Sequence, residues 1–199
     1  MLCHQWILRA IESPRVFRRC ARCEEKQPFL SSETFRVNSQ KRRIDVWLIY
    51  RCRECNDTWN CEVIERAAPE KIGPEALDRF HKNDAGEARR RAFDVAAIAR
   101  LGVEVERSIP YAIERPALPL DHVVRVEIAL LDPIWVRLDA LLAKALAVSR
   151  GRVLEWLERG EIQADPRCWG KPVRSGQHIL FAPISADKMG RWPVDGSYH

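Results

Sequence analysis

Two pairs of cysteines have the spacing of a metal site. Cys20 and Cys23 form one C-x-x-C sequence, and Cys52 and Cys55 form a second one further along the chain. Two thiolates at this spacing bind one ion from a single tight turn, and a second pair completes a tetrahedron. Thiolates are soft ligands, and four sulfurs leave no position open for catalysis. The spacing therefore predicts a structural zinc ion bound by Cys20, Cys23, Cys52 and Cys55; iron, as a coloured one-electron centre, is the alternative.

Three of the seven cysteines lie outside these pairs. Cys61 alternates with Trp59 and Val63, a pattern that favours a small buried hydrophobic residue over a further ligand. Cys3, next to His4, is far from a complete ligand set, and Cys168 is interpreted as a lone thiol. Disulfides remain the less favoured interpretation of the cysteines, because the chain has no sign of secretion.

Length and composition narrow the class of protein. The 199 residues can form one large domain or two small ones. No apolar run approaches the roughly 20 residues of a membrane span, so no membrane partner is expected. The first residues lack the basic segment and apolar stretch of a secretory signal, which predicts a cytoplasmic protein with reduced thiols. A net charge of +5 is compatible with a nucleic-acid partner and does not require one.

Strand-like segments flank both cysteine pairs. Short extended segments precede the first pair, and three more have the apolar content or the alternation of strands: residues 34–38, 44–50 and 58–65. Strand, knuckle, hairpin, knuckle and strand make up the layout of a zinc ribbon. We therefore predict a ribbon over residues 1–68, a small antiparallel sheet in which the metal ion replaces a hydrophobic core.

The residue after each cysteine pair bears on the shape of the two knuckles. Many ribbons have a glycine there, in a left-handed conformation, whereas this chain has Glu24 and Asn56. Asn tolerates that conformation and Glu does so poorly, which predicts a looser first knuckle.

The middle of the chain, residues 69–120, is predicted to be helical and to end in a linker. One helix begins at Pro74, and a second is expected to run without a break from Asp84 to Leu101, with Asp84 and Glu87 as a capping box. Its three arginines, Arg89 to Arg91, spread around the helix. They are interpreted as a solvated surface in preference to a contact with phosphate. Three prolines predict the linker, over residues 109–120.

Residues 121–199 are predicted to form a small α+β domain. Apolar spacing predicts helices over residues 136–147 and 149–160, and strands over 122–130, 161–164 and 178–182. Ser149 is a good N-cap, and Gly160 is a good stop for the second helix. The fold class predicted for the chain is thus α+β: an N-terminal four-cysteine zinc ribbon, a helical middle, and a C-terminal helix pair packed on a small sheet.

This last domain carries a specific set of residues: Arg137-Leu138-Asp139, Leu141-Leu142, Ser149-Arg150, Val153, Leu157, Gly160-Glu161-Ile162 and Val173-Arg174-Ser175-Gly176. With them, residues 135–183 resemble the RNA-binding domain of the fourth small-subunit ribosomal protein, which also occurs in bacterial pseudouridine synthases and tyrosyl-tRNA synthetases. The resemblance implies a helix pair that lies against structured RNA. Carried over, the contacts would be Arg137, Ser149, Arg150 and Arg152, with Lys144, Lys171 and Arg174 as possible additions.

The charge of this domain fits that implication, and one segment departs from the family pattern. Residues 133–183 contain eight Lys and Arg against five Asp and Glu, a surplus that can follow a phosphate backbone. Arg150 and Arg152 lie at a helix start, where a cation costs about 0.5 kcal/mol, so they either decorate that start or serve a function. Residues 165–170 replace the short turn that is usual in the family.

A second resemblance spans nearly the whole chain. It rests on Phe35-Arg36-Val37-Asn38, on Lys41, on residues 45–52 and on Thr58-Trp59-Asn60. These residues resemble a bacterial family known only as domain-of-unknown-function family 1062, with a ribbon and a helix-pair domain in the same order. The resemblance implies a bacterial cytoplasmic protein and carries no known activity.

Three functions compete. The first is a non-catalytic RNA-binding protein for ribosomal or transfer RNA, with the basic turn Lys41 to Arg43 as a further candidate contact or simply a solubilising turn. The second is a protein-interaction scaffold, for which seven tryptophans offer anchors. An enzyme is third, since the chain has no nucleophile elbow, phosphate loop, dinucleotide fingerprint or H-E-x-x-H, and His81 and His122 are isolated. We therefore expect no catalysis and no small-molecule substrate.

Overall fold

A computed structural model describes residues 1–40, 42–119 and 122–183. Lys41 of the basic turn, the boundary residues 120 and 121, and the part of the predicted last domain beyond residue 183 lie outside these ranges. The described residues form two compact units. Unit 1 comprises residues 1–12 and the described residues from 108 onwards, and unit 2 comprises residues 13–107.

The described strands and helices are these. The strands are β1 (Leu2–Ala10), β2 (Val16–Arg19), β3 (Lys26–Gln40), β4 (Arg43–Cys52), β5 (Thr58–Ala67), β6 (Glu104–Val105), β7 (Tyr111–Glu114), β8 (Val124–Leu130), β9 (Ile162–Gln163) and β10 (Gln177–Phe181). The helices are α1 (Pro69–Ile72), α2 (Pro74–His81), α3 (Ala85–Ala92), α4 (Val95–Arg100), α5 (Leu138–Ala145) and α6 (Arg150–Glu158). The predicted α+β class is confirmed.

Unit 2 is an antiparallel sheet in the order β5-β4-β3-β2-β6. Every second residue of β4, from Ile44 to Cys52, is buried, so one face of the sheet is apolar, as the alternation of that segment predicts. The helices cover this face, and Ala88, Ala92 and Ile98 pack in the same cluster as Phe29 and the buried cysteines. The expectation that a metal ion replaces the core is therefore wrong, because the helical segment supplies one.

The predicted continuous helix from Asp84 to Leu101 is also wrong. The chain leaves the α-helix after Ala92, and the Asp94 side chain accepts a hydrogen bond of 2.9 Å from the Ala97 N–H to begin α4. An aspartate that can cap a helix competes with its continuation. At the start of α3 the first half of the predicted capping box is present, since Asp84 Oδ1 accepts a 2.7 Å bond from the Glu87 N–H.

Unit 1 is a five-stranded sheet in the order β7-β1-β8-β10-β9. β1 pairs parallel with β8 and antiparallel with β7. Two predicted boundaries differ from this arrangement. Residues 1–12, which the sequence places in the predicted ribbon, form the strand that buries Trp6 and Leu8 in unit 1. The predicted linker 109–120 contains β7, because its prolines flank residues 111–114 without interrupting them.

The second helix of the pair has the predicted N-cap and stop, whereas α5 is shorter than the predicted range 136–147. The Ser149 Oγ accepts a 3.2 Å bond from the Arg152 N–H at the start of α6, and Gly160 takes a φ of 73° after its end. α5 buries Leu138, Leu141 and Leu142. Among the described residues, no helix combines the length and the apolar character needed to cross a bilayer.

Unit 2 is an insertion in the chain of unit 1. The chain leaves unit 1 after β1, forms unit 2, and re-enters unit 1 before β7. β1 and β7 are neighbours in one sheet. Within unit 1 the Ile11 N–H donates to the Pro110 carbonyl at 2.9 Å, and within unit 2 the Glu106 N–H donates to the Arg15 carbonyl at 2.8 Å. The ends of each unit are thus held together by its own backbone hydrogen bonds.

Candidate functional site

Two equivalent turns present the four cysteines at the ends of neighbouring hairpins. The first lies between β2 and β3 and the second between β4 and β5, and β3 pairs with β4 in the sheet. In the first turn the Glu24 N–H donates to the Cys20 carbonyl at 2.9 Å, and in the second the Asn56 N–H donates to the Cys52 carbonyl at the same distance. The sheet therefore brings both cysteine pairs to one end.

The prediction that the first knuckle is looser is wrong. Glu24 and Asn56 have φ values of 60° and 59°, and both take the left-handed conformation. Each turn also closes with a second backbone hydrogen bond of 2.8 Å. The Cys20 N–H donates to the Glu25 carbonyl, and the Cys52 N–H donates to the Asp57 carbonyl. The first knuckle adopts the same geometry as the second, at the steric cost of a Cβ-bearing residue in this region.

The four sulfur atoms are arranged as a metal ion requires. Cys20 Sγ lies 3.5 Å from Cys55 Sγ, Cys23 Sγ lies 3.9 Å from Cys52 Sγ, and all four are within 4.8 Å of one another. Thiolates bound tetrahedrally at a zinc–sulfur distance of about 2.3 Å are about 3.8 Å apart. The residues present thus fit a four-thiolate metal ion, and this group of four includes neither Cys61 nor Cys3.

The thiols oppose each other's ionisation. Burial raises the pKa of Cys20, but hydrogen bonds from the Cys23 and Arg22 N–H groups and from the thiols of Cys55 and Cys52 outweigh it, and the pKa falls to about 7. Hydrogen bonding to Cys55, burial and the other thiols raise the pKa of Cys23. Ionisation of Cys20 thus disfavours ionisation of Cys23, and binding of a metal ion, which requires thiolates, would release protons.

The remaining cysteines lie elsewhere. Cys61 is 2% exposed on β5 and packs in the core of unit 2, as a buried hydrophobic residue, and burial raises the pKa of its thiol to about 12. Cys3 is exposed on β1, and Cys168 is half-buried in a short turn of unit 1.

A buried carboxylate joins two of the predicted RNA-binding arginines. Asp139 is 5% exposed at the start of α5. Its Oδ1 accepts a 3.0 Å bond from Arg137 Nε, and its Oδ2 accepts bonds of 3.1 Å from Arg137 Nη2 and of 3.0 and 2.7 Å from Arg150 Nε and Nη2. Burial opposes ionisation, yet the hydrogen bonds from Arg150 and Arg137 hold the pKa of Asp139 below its ordinary value. Two guanidinium groups, about half exposed, are thus fixed side by side.

Lys171 lies beside this pair. Its carbonyl accepts a 3.3 Å bond from the Leu138 N–H at the start of α5, and the next residue, Pro172, forms a β-bridge with Arg137. Gly170 faces the Arg137 guanidinium, since a Cβ on Gly170 would be 3.6 Å from Arg137 Nη2. The segment 165–170 therefore ends next to the paired arginines.

The other predicted contacts are placed differently. Ser149 caps α6, and Arg152 bonds Glu155 at 2.6 Å and stacks 5.6 Å from the Trp156 ring. Lys144 turns away from the arginine pair, because its Nζ donates to the Tyr111 carbonyl at 2.5 Å and lies 4.1 Å from the Tyr111 ring. Arg174 is exposed in the turn before β10. The structure therefore brings together Arg137, Arg150 and Lys171, and not the whole predicted set.

The roles of two residues that position arginines are not predicted from the sequence. Asp139 stands within the Arg137-Leu138-Asp139 motif, and an acidic residue between basic ones at a helix start is the signal that could have identified it. Glu87 is 3% exposed and pairs with Arg79, Arg90 and Arg91. Two of the three arginines of α3 interpreted as solvated surface are thus partners of a buried carboxylate, and the third, Arg89, stacks 5.1 Å from the Phe93 ring.

Comparison with known proteins identifies a family and no activity. No curated protein and no solved structure matches the chain. Residues 37–167 match the sequence model of the family described as "Protein of unknown function (DUF1062)". The match includes the second knuckle, the helices of unit 2, and the helix pair with Asp139 and its two arginines. Because it covers more than half of the chain, the protein belongs to that family.

Proposed function

We propose that the protein is a non-catalytic, zinc-containing RNA-binding protein. Unit 1 would bind structured ribosomal or transfer RNA at the start of its helix pair, and unit 2 would be stabilised by a structural zinc ion. The observation that carries the RNA proposal is the arginine pair, by which we mean Arg137 and Arg150 on Asp139.

The arginine pair has the properties of a phosphate site. Arg is suited to phosphate because its planar guanidinium offers several donors in a fixed fork. Asp139 uses one edge of each guanidinium and fixes its orientation, so less side-chain entropy is lost when a phosphate binds. Two cations on one carboxylate leave a local surplus of positive charge, to which Lys171 adds. Contacts of this kind favour a polyanion with little dependence on base sequence.

Binding to transfer or ribosomal RNA at two salt concentrations tests the proposal. We expect the highest affinity at low salt, because phosphate contacts release counterions. The Arg150→Ala variant should bind several-fold more weakly, and its slope of log K against log salt should be shallower by about one. Arg159→Ala is the matched control, an arginine of similar exposure at the other end of α6 that bonds Glu155. Absence of binding at low salt, or equal losses in the two variants, would contradict the proposal.

Support for zinc comes from the distances among the four sulfurs. When bound, zinc supplies a fixed positive centre that holds two hairpins together and offers no open position for chemistry. Elemental analysis of the purified protein should find one zinc per chain. Cys52→Ser should abolish it, whereas Cys168→Ser should retain it, because Cys168 lies outside the group of four. Iron in place of zinc would give a coloured protein and would contradict the structural assignment.

A protein-interaction scaffold is the second candidate, and one observation favours it. The side chain of Trp135 is 55% exposed at the approach to α5, and Leu131 nearby is 53% exposed. An exposed tryptophan is a common anchor of protein interfaces. A partner that is retained after nuclease treatment and lost in Trp135→Ala, with RNA affinity unchanged, would favour this function over RNA binding.

A further inference from the structure

Three cavities of unit 1 adjoin one another next to the arginine pair. The first, of about 360 Å³, is bordered by Asp165, Lys171, Arg174 and Gln177. The second, of about 370 Å³, shares Asp165 with it and is bordered by Arg125, Gln163 and His178. The third, of about 300 Å³, shares Arg125 and His178 with the second and extends to Cys3 and Glu127. We call this series the sheet groove.

The fold explains where the groove runs. Val124, Val126 and Ile128 of β8 are buried, so the intervening Arg125 and Glu127 point to the other face of the sheet. His178 of β10 is paired with Glu127 and is exposed. Lys171 borders the first cavity and also bonds through its carbonyl to the start of α5. The groove therefore leads from the arginine pair past the β9 edge to the face of the sheet opposite its buried side chains.

The charges of the groove fit a polyanion. Arg125, Lys171 and Arg174 form no salt bridge with any residue in the described ranges. Arg167, which also borders the first cavity, is bound to Asp165 by hydrogen bonds of 2.8 to 3.1 Å. That pairing neutralises the one carboxylate common to the first two cavities. Three cations thus remain along the groove against Glu127.

Polar groups that can read bases lie between these cations. Gln163 and Gln177 offer amides, and His178 offers an exposed imidazole that can also stack on a base. The Gln177 Oε1 accepts a 3.3 Å bond from the Arg174 N–H, whereas its buried Nε2 has no partner within the described part of the chain. A buried donor without an acceptor is unfavourable, and an acceptor on a ligand would satisfy it.

Separate cavities favour single-stranded over duplex RNA. In a duplex the bases are stacked and paired, and proteins contact mainly its backbone and 2′-hydroxyls. Single-stranded bases can be splayed out, and each can enter a concave site while its phosphate stays at the rim. Cavities of about 300 to 370 Å³ are within the range of sites that take small heterocycles.

We propose that the sheet groove binds a single-stranded extension of the RNA whose structured part lies on the arginine pair. This inference rests on the proposed RNA-binding function and assigns a second, separate part of unit 1 to a different part of the same ligand. Arg125, Lys171 and Arg174 contact phosphates, and Gln163, Gln177 and His178 contact bases.

Two labelled RNA hairpins test the assignment. One ends flush, and the other carries a single-stranded extension of about six nucleotides, a length comparable to known single-strand sites. Fluorescence anisotropy at low salt should show roughly tenfold tighter binding of the extended hairpin, because stacking and phosphate contacts add to those of the stem. Arg125→Ala and, independently, His178→Ala should remove most of this gain and leave the affinity for the flush hairpin within about twofold.

Matched variants separate this inference from the function on which it rests. Arg150→Ala should weaken both hairpins by the same factor, and Arg159→Ala, which borders none of the three cavities, should change neither. Equal binding of the two hairpins by the wild type, or equal losses for both hairpins in Arg125→Ala and His178→Ala, would overturn the groove and leave the arginine pair standing. Failure of the wild type to bind either hairpin would overturn both the groove inference and the proposed RNA-binding function.

Discussion

Asp139 is the residue on which the arrangement of the candidate RNA surface depends. It is buried, and it accepts hydrogen bonds from Arg137, the residue before α5, and from Arg150, the first residue of α6. A buried carboxylate is costly unless such partners are present, and two guanidinium groups without it would repel each other. The charge of Asp139 therefore links the stability of the helix pair to the geometry of the surface.

The pH dependence of unfolding tests this link. Because the pKa of Asp139 is lowered in the folded protein, its stabilising effect is fully present above its ordinary pKa of about 4 and is lost as the pH falls through the lowered value. Asp139→Asn should reduce the free energy of unfolding by about 1–3 kcal/mol at neutral pH. The difference from the wild type should shrink as the pH falls below about 4, as measured by urea denaturation.

Asp165→Asn is the control for that experiment. Arg167 lowers the pKa of Asp165 to about 2 by side-chain and backbone hydrogen bonds, but Asp165 is exposed, so water screens the pair. We expect Asp165→Asn to change the free energy of unfolding less than Asp139→Asn does at every pH. Equal changes in the two variants would show that burial of Asp139 contributes nothing.

At the scale of elements, the two cysteine knuckles differ in sequence and agree in shape. Both turns have the same hydrogen bonds, and both place a non-glycine residue at a φ near 60°. The neighbouring sulfurs and strands thus impose a conformation that Glu24 does not favour by itself. The strain is stored in a turn that presents two of the four clustered cysteines.

Replacing Glu24 with glycine should release part of this strain. We expect Glu24→Gly to raise the stability of unit 2 by about 0.5–1 kcal/mol, because glycine adopts a positive φ without the steric cost of a Cβ, and this gain exceeds the extra chain entropy that glycine loses on folding. Asn56→Gly should give a smaller gain, because Asn tolerates the left-handed region. Chemical denaturation of the metal-loaded protein measures both values, and a loss of stability in Glu24→Gly would show that the Glu24 side chain has a stabilising role.

Local sequence patterns predict the individual strands, helices and caps of this protein better than they predict which strands pair. The alternation of β4 and β5, the caps at Ser149 and Gly160, and the cysteine spacing are all properties of short segments, and each reappears in the structure. The pairing of β1 with β8 joins residues more than a hundred positions apart. No periodicity encodes such a pairing, so the sequence does not predict that the first strand belongs to unit 1.

At the scale of the whole molecule, unit 2 is an insertion between two neighbouring strands of unit 1. The backbone bond from Ile11 to Pro110 continues the pairing of β1 with β7 at the point where the chain leaves and returns. Unit 1 therefore does not need residues 13–107 to complete its sheet. A short turn can make the same connection, as in a β-hairpin.

Removal of unit 2 tests its independence. A chain in which a short glycine-containing turn replaces residues 13–107 should remain folded, because every strand of the unit 1 sheet is retained. It should bind no zinc, because all four cysteines of the metal site are removed. Circular dichroism and elemental analysis measure the two outcomes. An unfolded product would show that unit 1 depends on the inserted unit.

The position of this insertion also bears on the order of events during synthesis. β1 leaves the ribosome before either of its neighbours, and about one hundred residues pass before β7 and β8 follow. In that interval the whole of unit 2 emerges, and its folding draws residues 15 and 106 together. Closing a loop of that length has an entropic cost. Because folding of unit 2 brings the two ends of the loop together, most of that cost is overcome before β1 pairs with β7 and β8. Folding of unit 2 would then set the rate at which the sheet of unit 1 is completed.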